Sequence, residues 1–105
     1  MGFGATGAAS PELAWGGGAR RGASIVLDAV LPRELAYEVD GAGACYGDSG
    51  GPLLQDLGRG ERVVGVTSRG TALDCQGVDI ATRADVLGTW IRRVSARDAC
   101  IGDDC

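Results

Sequence analysis

The sequence predicts an all-β fold, a small antiparallel barrel followed by one C-terminal helix. The 105 residues contain 19 glycines but only 3 prolines, and short apolar stretches alternate with glycine-rich segments, which favours tight turns between short strands. Near the C-terminus the apolar spacing changes to a helical period. Several short strands with one terminal helix are typical of a small β-barrel, and the length fits a single domain.

The strands are predicted from apolar and β-branched stretches between turn residues. The opening, Gly2 to Gly18, is glycine-rich and is predicted to be a strand start followed by a loop, and a glycine-dense loop is predicted from Gly41 to Gly51. The strand candidates are residues 24–31, 35–39, 52–54, 62–68 and 78–81. The fourth of these, RVVGVTS, is predicted to be the best buried strand.

The terminal helix is predicted from apolar residues that share one helical face. These residues are Val86, Leu87, Trp90, Ile91 and Val94. A T-x-x-D pattern at Thr82 and Asp85 places the predicted helix start near Arg83. We expect the helix to cover the core as an amphipathic cap, although Gly88 weakens it.

Composition and charge exclude several classes of function. The net charge is only −4 and no basic run occurs, so nucleic acid and anionic membranes are poor candidate partners. No stretch is long enough to span a bilayer, and residues 1–18 do not have the pattern of a signal peptide. The sequence contains neither histidine nor lysine, so all 10 basic residues are arginine. No metal site or other cofactor is predicted.

The four cysteines are Cys45, Cys75, Cys100 and Cys105. An even number in a short glycine-rich chain predicts disulfides and an oxidising compartment, but spacing alone leaves the pairing open.

The segment with the clearest chemistry is Gly47–Pro52, G-D-S-G-G-P, which follows Cys45 and Tyr46. It resembles the nucleophile loop of the chymotrypsin-fold serine proteases; the alternative is an ordinary loop serine among turn residues. The resemblance implies that Ser49 is the nucleophile and that the N–H groups of Gly47 and Ser49 form the oxyanion hole. It also implies that Asp48 receives a newly cleaved N-terminal ammonium during activation.

Further segments carry the same resemblance along the whole chain. Gly2-Phe3-Gly4 is similar to the family's G-W-G, and Thr82-Arg83 with Trp90-Ile91 matches its terminal helix. Residues 65–70, GVTSRG, resemble the strand that lines the specificity pocket, although that stretch also fits a plain core strand. The resemblance implies that residues 1–105 are the C-terminal half of the protease domain. Its fold would be the second barrel of the chymotrypsin fold, a six-stranded antiparallel Greek-key barrel with a C-terminal α-helix.

The resemblance also predicts the substrate-binding residues. Ser68 and Gly70 would pair with the substrate backbone, and Arg69 replaces the usual tryptophan, which makes that wall more polar. Gly43 falls at the pocket floor, where trypsin-like members carry aspartate, and Asp79 falls on the wall. The predicted substrate-binding set is Gly43, Ala44, Tyr46, Ser68, Arg69, Gly70 and Asp79. Two alternatives remain: Asp79 faces the pocket and favours a basic side chain, or it points outward and the pocket is apolar.

The same resemblance implies two disulfides. One joins Cys45 to Cys75 and braces the pocket. The other joins Cys100 to Cys105 across a short loop.

The histidine and aspartate of the catalytic triad are missing, since in the family both lie in an N-terminal barrel upstream of the G-W-G-like segment. We therefore expect a secreted serine endopeptidase present as a partial chain, inactive alone, with an exposed apolar face where the missing barrel packs. The expected partners are a peptide or protein substrate and that barrel. The alternatives are a catalytically dead pseudoprotease that binds peptides and a structural remnant.

Overall fold

The computed structural model describes residues 1–96 and 98–102, which form two antiparallel sheets and one short α-helix. The strands are β1 (Gly7–Ala8), β2 (Ala14–Trp15), β3 (Ala29–Val30), β4 (Glu34–Glu38), β5 (Pro52–Asp56), β6 (Glu61–Gly70) and β7 (Val78–Arg83). β1 pairs with β2, and the larger sheet has the order β3-β4-β7-β6-β5. Two 3-10 turns, Pro11–Leu13 and Asp85–Leu87, and the helix α1 (Gly88–Val94) complete the described part. The all-β class with a C-terminal helix is confirmed, and the sheets are consistent with a fragment of the predicted barrel.

The core lies around the pair of central strands β4 and β7. Leu35, Ala36 and Tyr37 of β4 are buried, as is Ala81 of β7. In the β4–β7 register Tyr37 lies opposite Asp79, so their side chains project from the same face of the sheet. This register places a tyrosine hydroxyl and a carboxylate next to each other inside the protein.

The prediction of a strand over residues 24–31 is wrong for most of that range. Only Ala29–Val30 forms a strand, and Val26 is 83% exposed. The ladder with β4 is interrupted because the Asp28 carboxylate, instead of a backbone carbonyl, accepts the N–H of Glu38. A short edge strand with one neighbour therefore replaces the longer one that the apolar sequence predicted.

Strand β6 is longer than predicted but is not the best buried strand. Gly65 is buried, whereas Val63 and Val66 are 53% and 38% exposed. Two single-residue bulges interrupt its ladders. Val64 is the extra residue against β5, and Ser68 is the extra residue against β7.

The helix begins at Gly88 rather than near Arg83. Thr82 and Arg83 remain in β7 because they still pair with β6, and Asp85 bonds the Arg83 guanidinium at 2.6 Å and 3.0 Å instead of capping the helix. The prediction that the helix covers the core is wrong for most of its apolar face, because Val86, Leu87, Trp90 and Val94 are exposed. No helix among the described residues is long and apolar enough to cross a membrane.

A disulfide joins the loop after β4 to the connection between β6 and β7. Cys45 and Cys75 are bonded, with their Cα atoms 5.3 Å apart, which confirms the predicted pair. The Tyr46 hydroxyl adds a second link by donating to the Leu73 carbonyl at 2.7 Å. The predicted partner of Cys100, Cys105, lies outside the described residues, so that pairing stays a prediction.

Candidate active site

The loop that carries Ser49 is attached to strand β6 by backbone hydrogen bonds. Gly50 N–H donates to the Thr67 carbonyl at 2.8 Å, and Thr67 N–H donates to the Gly51 carbonyl at 2.9 Å. Gly47 has φ 96°, a left-handed conformation that favours glycine and allows the tight turn before the serine. These bonds continue the β5–β6 pairing up to the residue that follows the serine, so the serine is presented from a fixed support.

In this loop, two backbone N–H groups have no hydrogen-bond acceptor among the described residues, whereas the N–H groups next to them do. Asp48 N–H donates to the Cys45 carbonyl at 3.0 Å, and Gly51 N–H donates to the Asp48 carbonyl at 3.0 Å. Within residues 1–96 and 98–102 the N–H groups of Gly47 and Ser49 have no acceptor. Both residues are exposed, so these two donors can reach a ligand.

The Ser49 side chain is exposed and lies beside the bulge of β6. Its hydroxyl is 3.4 Å from the Ser68 carbonyl, which is a long and weak hydrogen bond. The bulge explains this position, since Ser68 has no pairing partner on β7. A hydroxyl needs a base to become a good nucleophile, and the sequence contains no histidine to serve as one.

Asp48 is held by backbone N–H groups from two segments. Its carboxylate accepts Gly4 N–H at 2.9 Å and Cys45 N–H at 3.0 Å. The Met1 ammonium lies elsewhere and donates to the Pro52 carbonyl at 3.4 Å. The ammonium partner implied by the resemblance therefore stays a prediction, while the Gly2-Phe3-Gly4 segment does lie against the nucleophile loop.

Asp79 points into the protein, where it is only 4% exposed. Its Oδ2 accepts Ala44 N–H at 2.7 Å, and the Tyr37 hydroxyl is a second hydrogen-bond partner. Burial raises the pKa of Asp79, and the charge of Asp48 adds to that rise, whereas the bonds to Ala44 and Tyr37 oppose it. Burial, together with the neighbouring Asp79 carboxylate, raises the pKa of Tyr37 to about 12. Tyr37 was missed by sequence reasoning, although a buried tyrosine in a predicted strand signals a hydroxyl that needs a partner.

Arg69, which was predicted to line the substrate site, is paired rather than free. Its guanidinium forms a two-point bond with Glu34 of β4, at 2.6 Å and 3.3 Å, which raises the pKa of Arg69 and lowers that of Glu34. Sequence reasoning missed Glu34 because the pair spans β7, and no local signal shows that β4 and β6 flank the same strand.

A cavity of about 360 Å³ lies between the N-terminal segment and the Gly41–Cys45 loop. Gly4, Tyr37, Gly43, Ala44 and Asp48 are among its lining residues, whereas Ser49 is not. The cavity therefore lies behind the nucleophile loop and next to the residues that hold Asp79.

Comparison with known proteins gives a family match and curated relatives that include two serine proteases. The family model described as Trypsin matches residues 32–91. Serine protease 1 and Serine protease 2 of Drosophila melanogaster are each 48% identical to this chain over 54 residues. Each match covers 50% of this chain and 20% of the relative, so it spans about a fifth of the length of these relatives.

Proposed function

The chain belongs to the trypsin family of serine proteases, and we propose that it is the nucleophile-bearing part of a serine endopeptidase. The observation that carries this proposal is the pair of N–H groups on Gly47 and Ser49, which have no acceptor in the described part of the chain and lie beside an exposed hydroxyl. Such a pair is suited to an oxygen that gains negative charge during acyl transfer.

In the proposed reaction the Ser49 oxygen attacks the carbonyl carbon of a peptide bond and its proton passes to a base. The Gly47 and Ser49 N–H groups stabilise the oxyanion, the C–N bond breaks, and the amine leaves with that proton. Water then attacks the acyl ester and releases the serine. Each preorganised donor of this kind contributes about 3 kcal/mol to lowering the barrier.

The base and its orienting aspartate are proposed to come from outside these 105 residues, in an N-terminal barrel of the same domain. The absence of histidine from the sequence supports this, since removing the base of a triad lowers turnover on the order of a million-fold. We therefore expect peptide hydrolysis by the chain alone to be close to the uncatalysed rate.

The substrate is proposed to be a peptide or protein that adds a strand beside Ser68–Gly70. These three residues are exposed, and β5 pairs with β6 only as far as Val66, so one side of this stretch is open. A secreted location is proposed from the Cys45–Cys75 disulfide, because such bonds persist in oxidising compartments.

The experiment replaces the missing base with imidazole in solution and measures covalent labelling of the chain by an alkyl fluorophosphonate. The Ser49 oxygen forms a bond to phosphorus, fluoride leaves, and imidazole takes the proton. We expect one adduct, at Ser49, forming at least about tenfold faster with imidazole present. Intact mass and peptide mapping identify the labelled residue.

Two variants interpret the result. Ser49→Ala should abolish the adduct, whereas Ser95→Ala, which removes a hydroxyl from the C-terminal part, should leave labelling unchanged. Labelling spread over several serines, or a rate that does not depend on imidazole, contradicts the proposal and favours the pseudoprotease alternative.

A further inference from the structure

We propose, building on the protease function above, that Asp79 is a positioning residue for the serine turn: its carboxylate holds the loop that precedes the turn, and Tyr37 holds the carboxylate. That loop, residues 41–44, leads directly into the Cys45–Ser49 turn. In this role Asp79 acts through Ala44 and does not touch the reacting atoms.

The 41–44 loop has little backbone support of its own. Within residues 1–96 and 98–102, none of residues 41–44 takes part in a backbone–backbone hydrogen bond. The Ala44 N–H donates instead to Oδ2 of Asp79 at 2.7 Å. Asp79 lies in β7, where it is opposite Tyr37 of β4 on one side and Gly70 of β6 on the other. One side chain of the central sheet therefore fixes the end of a loop that the backbone leaves unsupported.

The position of Ala44 reaches the serine turn through the next residue. The Cys45 carbonyl accepts Asp48 N–H at 3.0 Å, and the Cys45 N–H donates to Oδ2 of Asp48 at 3.0 Å. These two bonds close the turn that contains Gly47 and leads to Ser49. The direction of the two N–H groups that have no acceptor in the described chain therefore depends on where Cys45 lies. A displacement of about 1 Å in a catalytic group is enough to lower a rate on the order of a hundredfold.

The packing around Asp79 holds the carboxylate in place. A Cβ atom added at Gly43 would lie 2.9 Å from Oδ2, and one added at Gly70 would lie 3.2 Å from Oδ1. Each oxygen therefore has backbone packed closely against it, from the 41–44 loop on one and from the end of β6 on the other. Tyr37 and Asp79 are each only 4% exposed, and the Tyr37 hydroxyl bonds the same carboxylate.

The hydrogen bond to Ala44 depends on the ionisation of Asp79. Burial raises the pKa of Asp79, and the titratable groups that face it are Tyr37 of β4 and Asp48 of the nucleophile loop. The residues that approach it from the 41–44 loop and from β6 are uncharged. Tyr37, with its pKa raised to about 12, stays protonated as Asp79 titrates. Because a bond to an ionised acceptor is roughly twice as strong as a neutral one, the hold on Ala44 strengthens as pH rises through the pKa of Asp79.

Stability and reactivity should therefore respond to pH in opposite directions. A carboxyl group whose pKa is raised by folding stabilises the fold while it is protonated, and this contribution is lost as pH rises from the ordinary aspartate pKa to the folded-state pKa. The serine turn, in contrast, is held best when Asp79 is ionised. A residue that only kept the chain folded would change stability and Ser49 reactivity in the same direction.

The first experiment follows the hydrogen bond by NMR during a pH titration of the full chain. The carboxyl carbon of Asp79 reports its ionisation, and the amide resonances of Ala44 and Gly47 report on the loop and on the turn. We expect both amides to shift with the midpoint of Asp79. If the Gly47 amide does not shift, or follows the carboxyl carbon of Asp48 instead, the inference is overturned.

The second experiment measures the rate at which the alkyl fluorophosphonate labels Ser49, divided by the concentration of unprotonated imidazole. The wild-type rate should rise about fivefold as pH increases through the midpoint of Asp79. Asp79→Asn keeps the shape without the charge, so it should label at the lower rate and show no rise. The matched control Asp74→Asn removes an exposed acid from the β6–β7 connection and should label as the wild type does. An Asp79→Asn profile that matches the wild type overturns the inference.

Urea denaturation of the same variants separates positioning from folding. As pH rises, the free energy of unfolding of the wild type should fall relative to that of Asp79→Asn, whereas its labelling rate should rise relative to that variant. If stability and labelling move in the same direction, Asp79 has a structural role only and the inference is wrong.

Tyr37→Phe tests the role of the tyrosine. Since the Tyr37 hydroxyl lowers the pKa of Asp79, its loss should move the midpoints of labelling and of the Gly47 amide to higher pH together. Midpoints that do not move contradict the role of Tyr37. A labelling midpoint that departs from that of the Asp79 carboxyl carbon overturns the role of Asp79, and this comparison decides the question if Asp79→Asn does not fold.

The outcomes are distinguishable from the test of the proposed function. If no adduct forms at Ser49, the nucleophile assignment fails, and the NMR titration still decides whether Asp79 holds the turn. An adduct at Ser49 whose rate per unprotonated imidazole does not change with pH overturns the positioning role alone.

Discussion

At the scale of single residues, Asp48 connects the first residues of the chain to the serine turn. The Gly4 and Cys45 N–H groups both donate to its carboxylate, so the turn is held from inside the loop and from outside it. Gly4 is buried, and a Cβ added there would lie 2.6 Å from the carboxylate carbon of Asp48. A residue with a side chain at this position would have to displace Asp48 from the bonds that fix it.

We expect Gly4→Ala to destabilise the protein by about 1–3 kcal/mol, because an added methyl group overfills a close-packed contact. Urea denaturation at neutral pH measures the change. Gly22→Ala is the matched control. The nearest heavy atom to a Cβ at Gly22 is Met1 Cε at 4.0 Å, so this change should stay within about 0.5 kcal/mol. Equal losses in the two variants would show that Gly4 does not need the close approach.

The residues of the serine turn were predictable because their chemistry is local. Gly47, Asp48 and Ser49 lie within a six-residue pattern, and the bonds that shape the turn join residues three apart. Glu34 and Tyr37 were not predictable in the same way, since each meets its partner only through the register of β4 against β7 and β6. These two residues reach the site because of the order of the strands in the sheet, and a single sequence does not reveal that order.

At the scale of elements, most strands were predictable and the boundaries were less so. Apolar and β-branched stretches between turn residues predicted β4 through β7, and each of these strands pairs over five residues with a neighbour. The length of the edge strand β3 and the start of the helix depend on which side chains take hydrogen bonds that the regular backbone pattern would otherwise make. Asp28 takes a ladder hydrogen bond at β3, and Asp85 pairs with Arg83 where a helix cap was predicted. Such competition is decided by tertiary contacts.

The Cys45–Cys75 disulfide fixes the nucleophile loop to the β6–β7 connection, and we expect the double variant Cys45→Ala, Cys75→Ala to lose about 3–4 kcal/mol. This estimate follows from the separation of 30 residues, because opening that loop restores conformational entropy to the unfolded chain. Thermal or urea denaturation under oxidising conditions measures the loss.

Leu73→Ala is the control for that prediction. Leu73 lies in the same connection and is 67% exposed, so truncating it should change stability by no more than about 0.5 kcal/mol. A double cysteine variant as stable as the control would mean that the two loops are held together by the remaining contacts, such as the Tyr46 hydroxyl bond to Leu73.

At the scale of the whole molecule, the C-terminal region presents apolar side chains to solvent. Val86, Leu87, Trp90 and Val94 are 45%, 39%, 54% and 61% exposed. These residues share the apolar face of the helical region that was predicted to cover the core. Contiguous exposed apolar surface of this kind promotes association, and the missing barrel was predicted to leave such a face.

We expect the chain to self-associate through this face, and Trp90→Glu to shift it toward monomer by placing a charge in the contact. Sedimentation velocity over a range of concentrations measures the change. Leu57→Glu adds the same charge at a residue that is 83% exposed in the β5–β6 turn, away from α1. A wild-type chain that stays monomeric at high concentration, or an equal effect of the two variants, would contradict the role of this face.

The bulge at Ser68 has a consequence for how the chain tolerates insertions and deletions. Deleting Ser68, the one residue between Thr67 and Arg69, would make the ladder with β7 continuous and leave Arg69 opposite Ile80 and Gly70 opposite Asp79. The deletion would instead remove the carbonyl that lies 3.4 Å from the Ser49 hydroxyl, and with it the local widening of the strand beside the serine. Natural length variation is therefore expected in exposed turns such as residues 57–60, whereas the stretch beside Ser49 should keep its length even where its side chains differ.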